Sequence, residues 1–166
     1  MSLTAPAPDL HVVLVEPEIH WNAGNAGRTC LAVGAQLHLV EPLGFSLDER
    51  QVRRAGLDYW DHVQPCVWQS FAAIEPQLAA LGEPFFFCAR EGPALWDVRF
   101  PKRVALVFGR ESVGLAPEIR TRGRSRLVQI PIPDDRVRSL NLSTSVALAL
   151  YEVLRQRRAA DATASP

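Results

Sequence analysis

Lysine is almost missing from this chain: Lys102 stands alone among 18 basic residues, so the other 17 are arginine. Neither sign of charge is in excess, because 18 acidic residues balance the 18 basic ones. Zero net charge excludes a globally basic coat of the kind that binds nucleic acid non-specifically. Only three cysteines occur, Cys30, Cys66 and Cys88, and no two form a CxxC pair. That excludes a disulfide framework and reads as reduced thiols in a cytoplasmic protein. Residues 1–9 contain neither a basic residue nor an apolar run, so no signal peptide is expected. No apolar stretch approaches the roughly 20 residues of a membrane helix. With 48% apolar and 22% charged residues the composition is globular. A chain of 166 residues should bury roughly 70% of its unfolded surface, enough to fold without metal or disulfide.

What is present is uneven. Arginines gather at Arg50, Arg53 and Arg54, at Arg120, Arg122, Arg124 and Arg126, and at Arg136 and Arg138. Their forked donors suit phosphates and can stack on bases. Short apolar runs read as strands: His11–Glu16, Gln36–Glu41, His62–Val67, Phe85–Ala89, Arg103–Gly109 and Leu127–Ile130. Between them lie predicted helices over Asn22–Gly34, Asp48–Ala55, Ser70–Leu81, Ala116–Arg122 and Ser139–Arg158. The last carries Val146, Ala149, Leu150, Val153 and Leu154 on one stripe. Strands that are apolar throughout and alternate with helices predict an α/β fold, a mostly parallel sheet flanked by helices on both faces. Residues 1–10 read as a flexible leader, 11–158 as one domain and 159–166 as a flexible tail.

Three segments concentrate chemistry, each at the carboxyl end of a predicted strand, where open α/β sheets bind ligands. Asn22-Ala23-Gly24-Asn25-Ala26-Gly27-Arg28 reads as a glycine-rich turn opening a helix, a ready anion site with Arg28 one turn inside. A dinucleotide fingerprint is the competing reading, since Glu41 ends the next strand. The spacing is G-x-x-G, where G-x-G-x-x-G is required. Phe108-Gly109-Arg110-Glu111-Ser112-Val113-Gly114 brings a carboxylate to the sheet edge between two flexible turns. Ile130-Pro131-Ile132-Pro133 leads to Arg138-Ser139-Leu140-Asn141-Leu142-Ser143, where one helix cap explains one polar residue but not the crowd of them.

Together these segments resemble the signature motifs of the SPOUT superfamily of methyltransferases, in its ribose 2'-O branch: N-x-G-N-x-x-R, F-G-x-E-x-x-G, then I-P followed by S-L-N-x-S. Glu16-Pro17-Glu18-Ile19, Leu37–Phe45 and Arg53-Arg54-Ala55-Gly56-Leu57-Asp58-Tyr59 bring the likeness nearer to the TrmL-type enzymes that methylate the wobble nucleotide of tRNA. It spans about Val12 to Arg155. The resemblance implies a C-terminal trefoil knot, a homodimer, and S-adenosylmethionine as cofactor with no metal. It places cofactor contacts at Cys88, Gly109, Ile130, Ser139 and Leu140. It assigns catalysis to Arg28, Glu111 and Asn141, with Glu111 orienting Arg28. Candidate contacts to the anticodon stem-loop are Asn22, Asn25, Arg50, Arg53, Arg54 and Arg138. Two stretches depart from the TrmL-type pattern. The loop from Ile130 to Ser139 is a residue longer than usual, and Phe87–Gly92 replaces a threonine-rich strand end. The alternatives are a related enzyme acting on rRNA, a non-catalytic RNA-binding module, and a nucleotide-dependent oxidoreductase.

Overall fold

The computed structural model describes residues 8–48 and 59–164. Its elements run β1 (Leu10–Val15), α1 (His20–Val33), β2 (Gln36–Val40), α2 (Trp60–Val63), β3 (Cys66–Trp68), α3 (Phe71–Ile74), α4 (Leu78–Leu81), β4 (Glu83–Phe87), β5 (Val104–Phe108), α5 (Pro117–Arg122), β6 (Leu127–Val128) and α6 (Leu142–Ala164). The six strands form one parallel sheet in the order β3-β2-β1-β5-β4-β6. The chain builds outward from β1 to β3, then crosses to the other half. The reversal of direction therefore lies between β1 and β5, the place where a crevice opens at the strand ends.

The alternating pleat sends each strand's side chains to two separate cores. Leu10, Val12, Leu14, Leu37, Leu39, Leu106 and Phe108 pack with Ala23, Ala26 and Cys30 of α1 and with Val146, Ala149, Leu150 and Val153 of α6. Val13, Val15, Val40, Ala105 and Val107 pack on the opposite face with Phe71, Ile74, Leu78 and Ile119. Both faces are covered, which is why the strands read as unbroken apolar runs. All of the predicted stripe on the last helix except Leu154, which is half-buried, is thus taken up inside the protein's own core. Among the described residues no helix is long and apolar enough to cross a membrane.

Four expectations change. The strand expected over His62–Val67 starts only at Cys66, because Trp60 and Val63 form a helical turn that closes on α1. The helix expected over Ser70–Leu81 is split at Pro76 by a 3-10 turn, Glu75–Gln77. The last strand stops at Val128, beyond which Gln129 makes only an isolated bridge to Ala94. The final helix begins at Leu142 rather than Ser139 and continues to Ala164, through most of the expected tail. The helix expected over Asp48–Ala55, and with it Arg50, Arg53 and Arg54, lies outside the described residues from position 49 on.

Candidate active site

A cavity of about 600 Å³ opens at the carboxyl ends of β1, β5, β4 and β6. Cys88, Gly109, Glu111, Ile130, Ser139, Leu140 and Asn141 all line it, so residues from two of the three sequence motifs meet there, joined by Asn22 from the first. Its apolar part is built on Phe87 and Phe108, stacked with ring centroids 4.5 Å apart. Gly109 is required by close approach. A Cβ there would stand 2.1 Å from the backbone of Gly114 and Leu115, where the 110–114 turn folds back.

The glycine-rich motif is not the turn expected of it. Helix α1 already starts at His20, with Ile19 as its N-cap, so Asn22 to Arg28 are all helical. Gly27 serves close packing: an added Cβ would come within 2.9 Å of Trp60 and 3.1 Å of Val63. Neither an anion cradle nor a dinucleotide turn exists at this position.

Helix α1 has no acidic residue in its first turn and no side-chain cap from its own sequence. Glu111 supplies one from a distance of about 90 residues. Its Oε2 accepts from the Glu18 N–H at 2.7 Å, and its Oε1 from the Ile19 N–H at 3.1 Å and from Asn22 Nδ2 at 2.9 Å. A carboxylate on free N–H groups at a helix start is favoured by both the hydrogen bonds and the helix dipole. The bond is returned: Glu18 accepts from the Ser112 N–H at 2.8 Å and from Ser112 Oγ at 2.9 Å. Arg110 pairs with Glu16 beside them. The loops after β1 and β5 are thereby clamped together.

Asn141 extends the same network to the third motif. Its Oδ1 accepts from the N–H of Ser143 at 2.9 Å and of Thr144 at 3.3 Å, capping α6. That fixes its amide orientation, so Nδ2 donates to Asn22 Oδ1 at 2.9 Å. Asn22 must then turn its own Nδ2 to Glu111. The chain Glu111–Asn22–Asn141 has one self-consistent set of donors and acceptors. Asn22, expected among the RNA contacts, is 6% exposed with both ends of its amide engaged.

Arg28 does not join this network, and Glu111 does not orient it. It lies two turns further along α1, exposed, with its guanidinium 5.3 Å from the centre of the Tyr59 ring. Tyr59 in turn donates from its hydroxyl to the Gly24 carbonyl at 3.0 Å. Asn25 and Arg138 are also exposed. Of the arginines near residue 120, Arg120, Arg122 and Arg126 pair with Glu91, Glu75 and Glu83. Arg136 pairs with Asp134. Those arginines are largely neutralised, which composition could not reveal.

Burial pushes the Cys88 thiol up to about 11, with Glu91 adding to the shift. The thiol is therefore neutral near pH 7. Its backbone N–H is used by Val128 at 2.9 Å, so Cys88 offers the cavity a carbonyl or an uncharged thiol. Among the described residues no group of three or more His, Cys, Asp or Glu could hold a metal ion. Sequence reasoning did not single out Glu18, Ser112 or Arg90 as site residues. Glu18 could have been found, because it sits in the Glu-Pro-Glu-Ile segment that follows β1.

A tRNA (cytidine(34)-2'-O)-methyltransferase of Burkholderia pseudomallei (strain 1106a) is 44% identical over 151 residues, covering 88% of this chain and 94% of the relative. A solved structure described as "Structural insights into the 2-OH methylation of C/U34 on tRNA" superposes with a TM-score of 0.82 at 45% identity, covering 90% of this chain and 97% of its own. A SpoU methyltransferase from Streptomyces viridochromogenes, solved in complex with the cofactor AdoMet, shares the fold with a TM-score of 0.74 at 24% identity, over 94% of this chain and 60% of that one. The model of the SpoU rRNA Methylase family matches residues 9–151, from the start of β1 into the last helix, and so takes in every strand and loop that builds the cavity; the chain belongs to that family.

Proposed function

We propose that this chain methylates the ribose 2'-hydroxyl of the wobble nucleotide in the anticodon loop of tRNA, in the cytoplasm, as a homodimer. The observation that carries this reading is the cavity itself, walled by the later motifs and tied to the first through Glu111, Asn22 and Asn141. The substrate follows the relatives named for cytidine(34) of tRNA. An anticodon loop also offers splayed bases, which A-form RNA does not.

S-adenosylmethionine fits the cavity. A space of about 600 Å³ with a stacked aromatic floor suits an adenosine. At Gly109 a side chain would intrude into the turn that forms the wall. When bound, this cofactor supplies a methyl group on a sulfonium. Phe87, Phe108, Ile130 and Leu140 would hold its apolar parts, with Ser139 and the Cys88 carbonyl as polar partners. The SpoU relative with bound AdoMet supports the choice.

The chain's own residues would do the remaining work. Glu111 and Asn141 fix α1 against the cavity and act as positioning residues. Arg28 would act as a cation with a forked set of donors. It would hold the phosphate beside the target ribose and stabilise the 2'-oxygen as its proton leaves to phosphate or water. It lies six positions beyond Asn22, about 9 Å along a helix. That placement suits a site completed across a dimer. Asn25 and Arg138, both exposed, are proposed RNA contacts together with Arg50, Arg53 and Arg54. The C-terminal trefoil knot remains part of this proposal; after the edge strand β6 the chain returns so that α6 packs on α1.

The deciding experiment is methylation of tRNA that lacks the modification, with the methylated nucleotide mapped by mass spectrometry. A methyl group at the wobble ribose is the expected result. The family's description names rRNA, so an rRNA arm belongs in the assay. Methylation of rRNA alone would replace the tRNA assignment.

A further inference from the structure

Arg90 follows the end of β4, and the loop from Ile132 to Arg138 lies against it. Its guanidinium donates to the Ile132 carbonyl at 3.3 Å, to the Val137 carbonyl at 2.9 Å and to Asp135 Oδ1 at 3.4 Å. The loop it grips is consolidated only within itself. Asp134 accepts from the Arg136 N–H at 3.0 Å and from the Arg136 guanidinium, and its carbonyl accepts from the Val137 N–H at 3.1 Å. Among the described residues, every hydrogen bond that joins 132–138 to the rest of the protein comes from Arg90. Neither hydrophobic core includes a residue of this loop. Yet the loop connects Ile130 to Ser139, Leu140 and Asn141, and all four line the cavity.

We propose that Arg90 is a positioning residue that latches the 132–137 loop over the cavity and so sets how tightly, and for how long, the cofactor is held. The inference rests on the reading of this cavity as a site for S-adenosylmethionine. Two carbonyls at opposite ends of one turn are held by one planar group, a geometry that a lysine ammonium cannot copy. The Asp135 pair is secondary, since that carboxylate is almost fully exposed. Without the latch the loop would sample open positions, and closure would have to be repaid from cofactor binding.

The test uses the full-length protein with Arg90→Ala, Arg90→Lys and Asp135→Asn. S-adenosylmethionine affinity and dissociation rate are measured beside hydrogen exchange of 132–138 in the ligand-free protein, thermal midpoint and kcat at saturating cofactor. Arg90→Ala should weaken cofactor binding about 10-fold or more, mainly through faster dissociation. It should raise exchange of 132–138 before any ligand is added, with the thermal midpoint unmoved. At saturating cofactor kcat should stay within about threefold of wild type. Arg90→Lys should recover part of the affinity, and Asp135→Asn should behave like wild type. If wild-type protein binds no S-adenosylmethionine, the reading of the cavity fails and the latch with it. If wild type binds but Arg90→Ala holds the cofactor within about twofold, the latch alone is overturned. Unchanged exchange with weaker binding would make Arg90 a direct cofactor contact, and a lowered midpoint with equal loss of kcat would make it a fold residue. Either result also overturns the latch.

Discussion

At the scale of single residues, Glu111 holds the start of α1 rather than Arg28, so the two side chains should answer to different measurements. Arg28 is expected to be the side chain whose loss costs chemistry and little else. Arg28→Ala should lower single-turnover methylation about 100-fold or more, as loss of an oxyanion donor does. Arg28→Lys should regain only part, because the charge returns without the fork. The Tyr59 contact puts the stability cost at about 0.5–1 kcal/mol, an exposed cation–π pair. Methylation by Arg28→Ala at the wild-type rate would end the assignment. For Glu111 the cost should appear in the fold instead. Its carboxylate accepts three hydrogen bonds at the start of α1, from the Glu18 and Ile19 N–H groups and from the Asn22 side-chain amide. Glu111→Gln keeps the shape and surrenders the charge, and should lower unfolding stability by about 1.5–3 kcal/mol. Chemical denaturation checks this, and an unchanged midpoint would show that the cap contributes nothing. Which residue types gather at the site was legible in the sequence, since all of Cys88, Gly109, Ile130, Ser139, Leu140, Glu111 and Asn141 line one cavity. Which atoms meet was not. That Asn22 stands between Glu111 and Asn141 depends on residues 89 and 119 positions apart, and no local pattern encodes such pairing.

At the scale of elements, strands were more legible than helix boundaries, for a physical reason. A strand buried on both faces must be apolar at every position, and β1, β2, β4 and β5 stand out in any window. Helix starts depended on partners elsewhere: α1 is capped from Glu111, and α2 exists because Gly27 lets Trp60 and Val63 approach. One polar pair inside the sheet gives a sharp test. His11 on β1 and His38 on β2 are 4% and 2% exposed. Their hydrogen bonds run in one direction: Trp68 Nε1 donates to His38 Nδ1 at 3.1 Å, His38 meets His11 Nδ1 at 3.0 Å, and His11 Nε2 donates to the Pro8 carbonyl at 2.8 Å. The order requires both rings neutral with hydrogen on Nε2. Burial, helped by the nearness of the other ring, lowers His38 to about 4. Burial lowers His11 too, with Arg103 assisting and the Pro8 bond and Asp9 opposing. In the unfolded chain both take a proton near 6.5. Above that pH neither state is protonated and the pair adds no pH dependence. As pH falls below it, the unfolded chain gains protons that the folded chain refuses, so stability drops until His38 itself titrates near 4. The loss should approach about 1.4 kcal/mol per pH unit for His38. Urea unfolding at pH 7.5, 6 and 5 measures it. His38→Gln should flatten the slope, and an unchanged slope in that variant would place its origin elsewhere.

At the scale of the whole molecule, the open question is what covers the outside of α1 and α6. The inner stripe of α6, Val146, Ala149, Leu150 and Val153, is filled by the protein's own core and cannot serve a partner. A different set remains outside: Trp21 is 50% exposed and Leu31 41% on α1, with Leu148 44% and Tyr151 58% on α6. The two helices pack on each other, so both present apolar groups from the same layer of the protein. Exposed apolar surface of this kind marks an interface where it is contiguous and large. A stable dimer needs about 800 Å² from each partner. Arg28 lies on α1 between Trp21 and Leu31 in sequence, away from the cavity lining of its own chain. If α1 faces a second copy, Arg28 is carried toward that interface, and dimerisation becomes part of the active site rather than an addition to stability. The variant Leu148→Glu/Tyr151→Glu tests this, because both positions are exposed and should alter protomer stability by no more than about 0.5 kcal/mol each. Wild-type protein should sediment as a dimer at micromolar concentration and the double variant as a folded monomer. That monomer should still bind S-adenosylmethionine, since the cavity lies within one chain, but should methylate tRNA at least about 100-fold more slowly, the same loss as Arg28→Ala. A monomer with full methylation activity would show that Arg28 serves its own cavity and that the exposed face has another purpose.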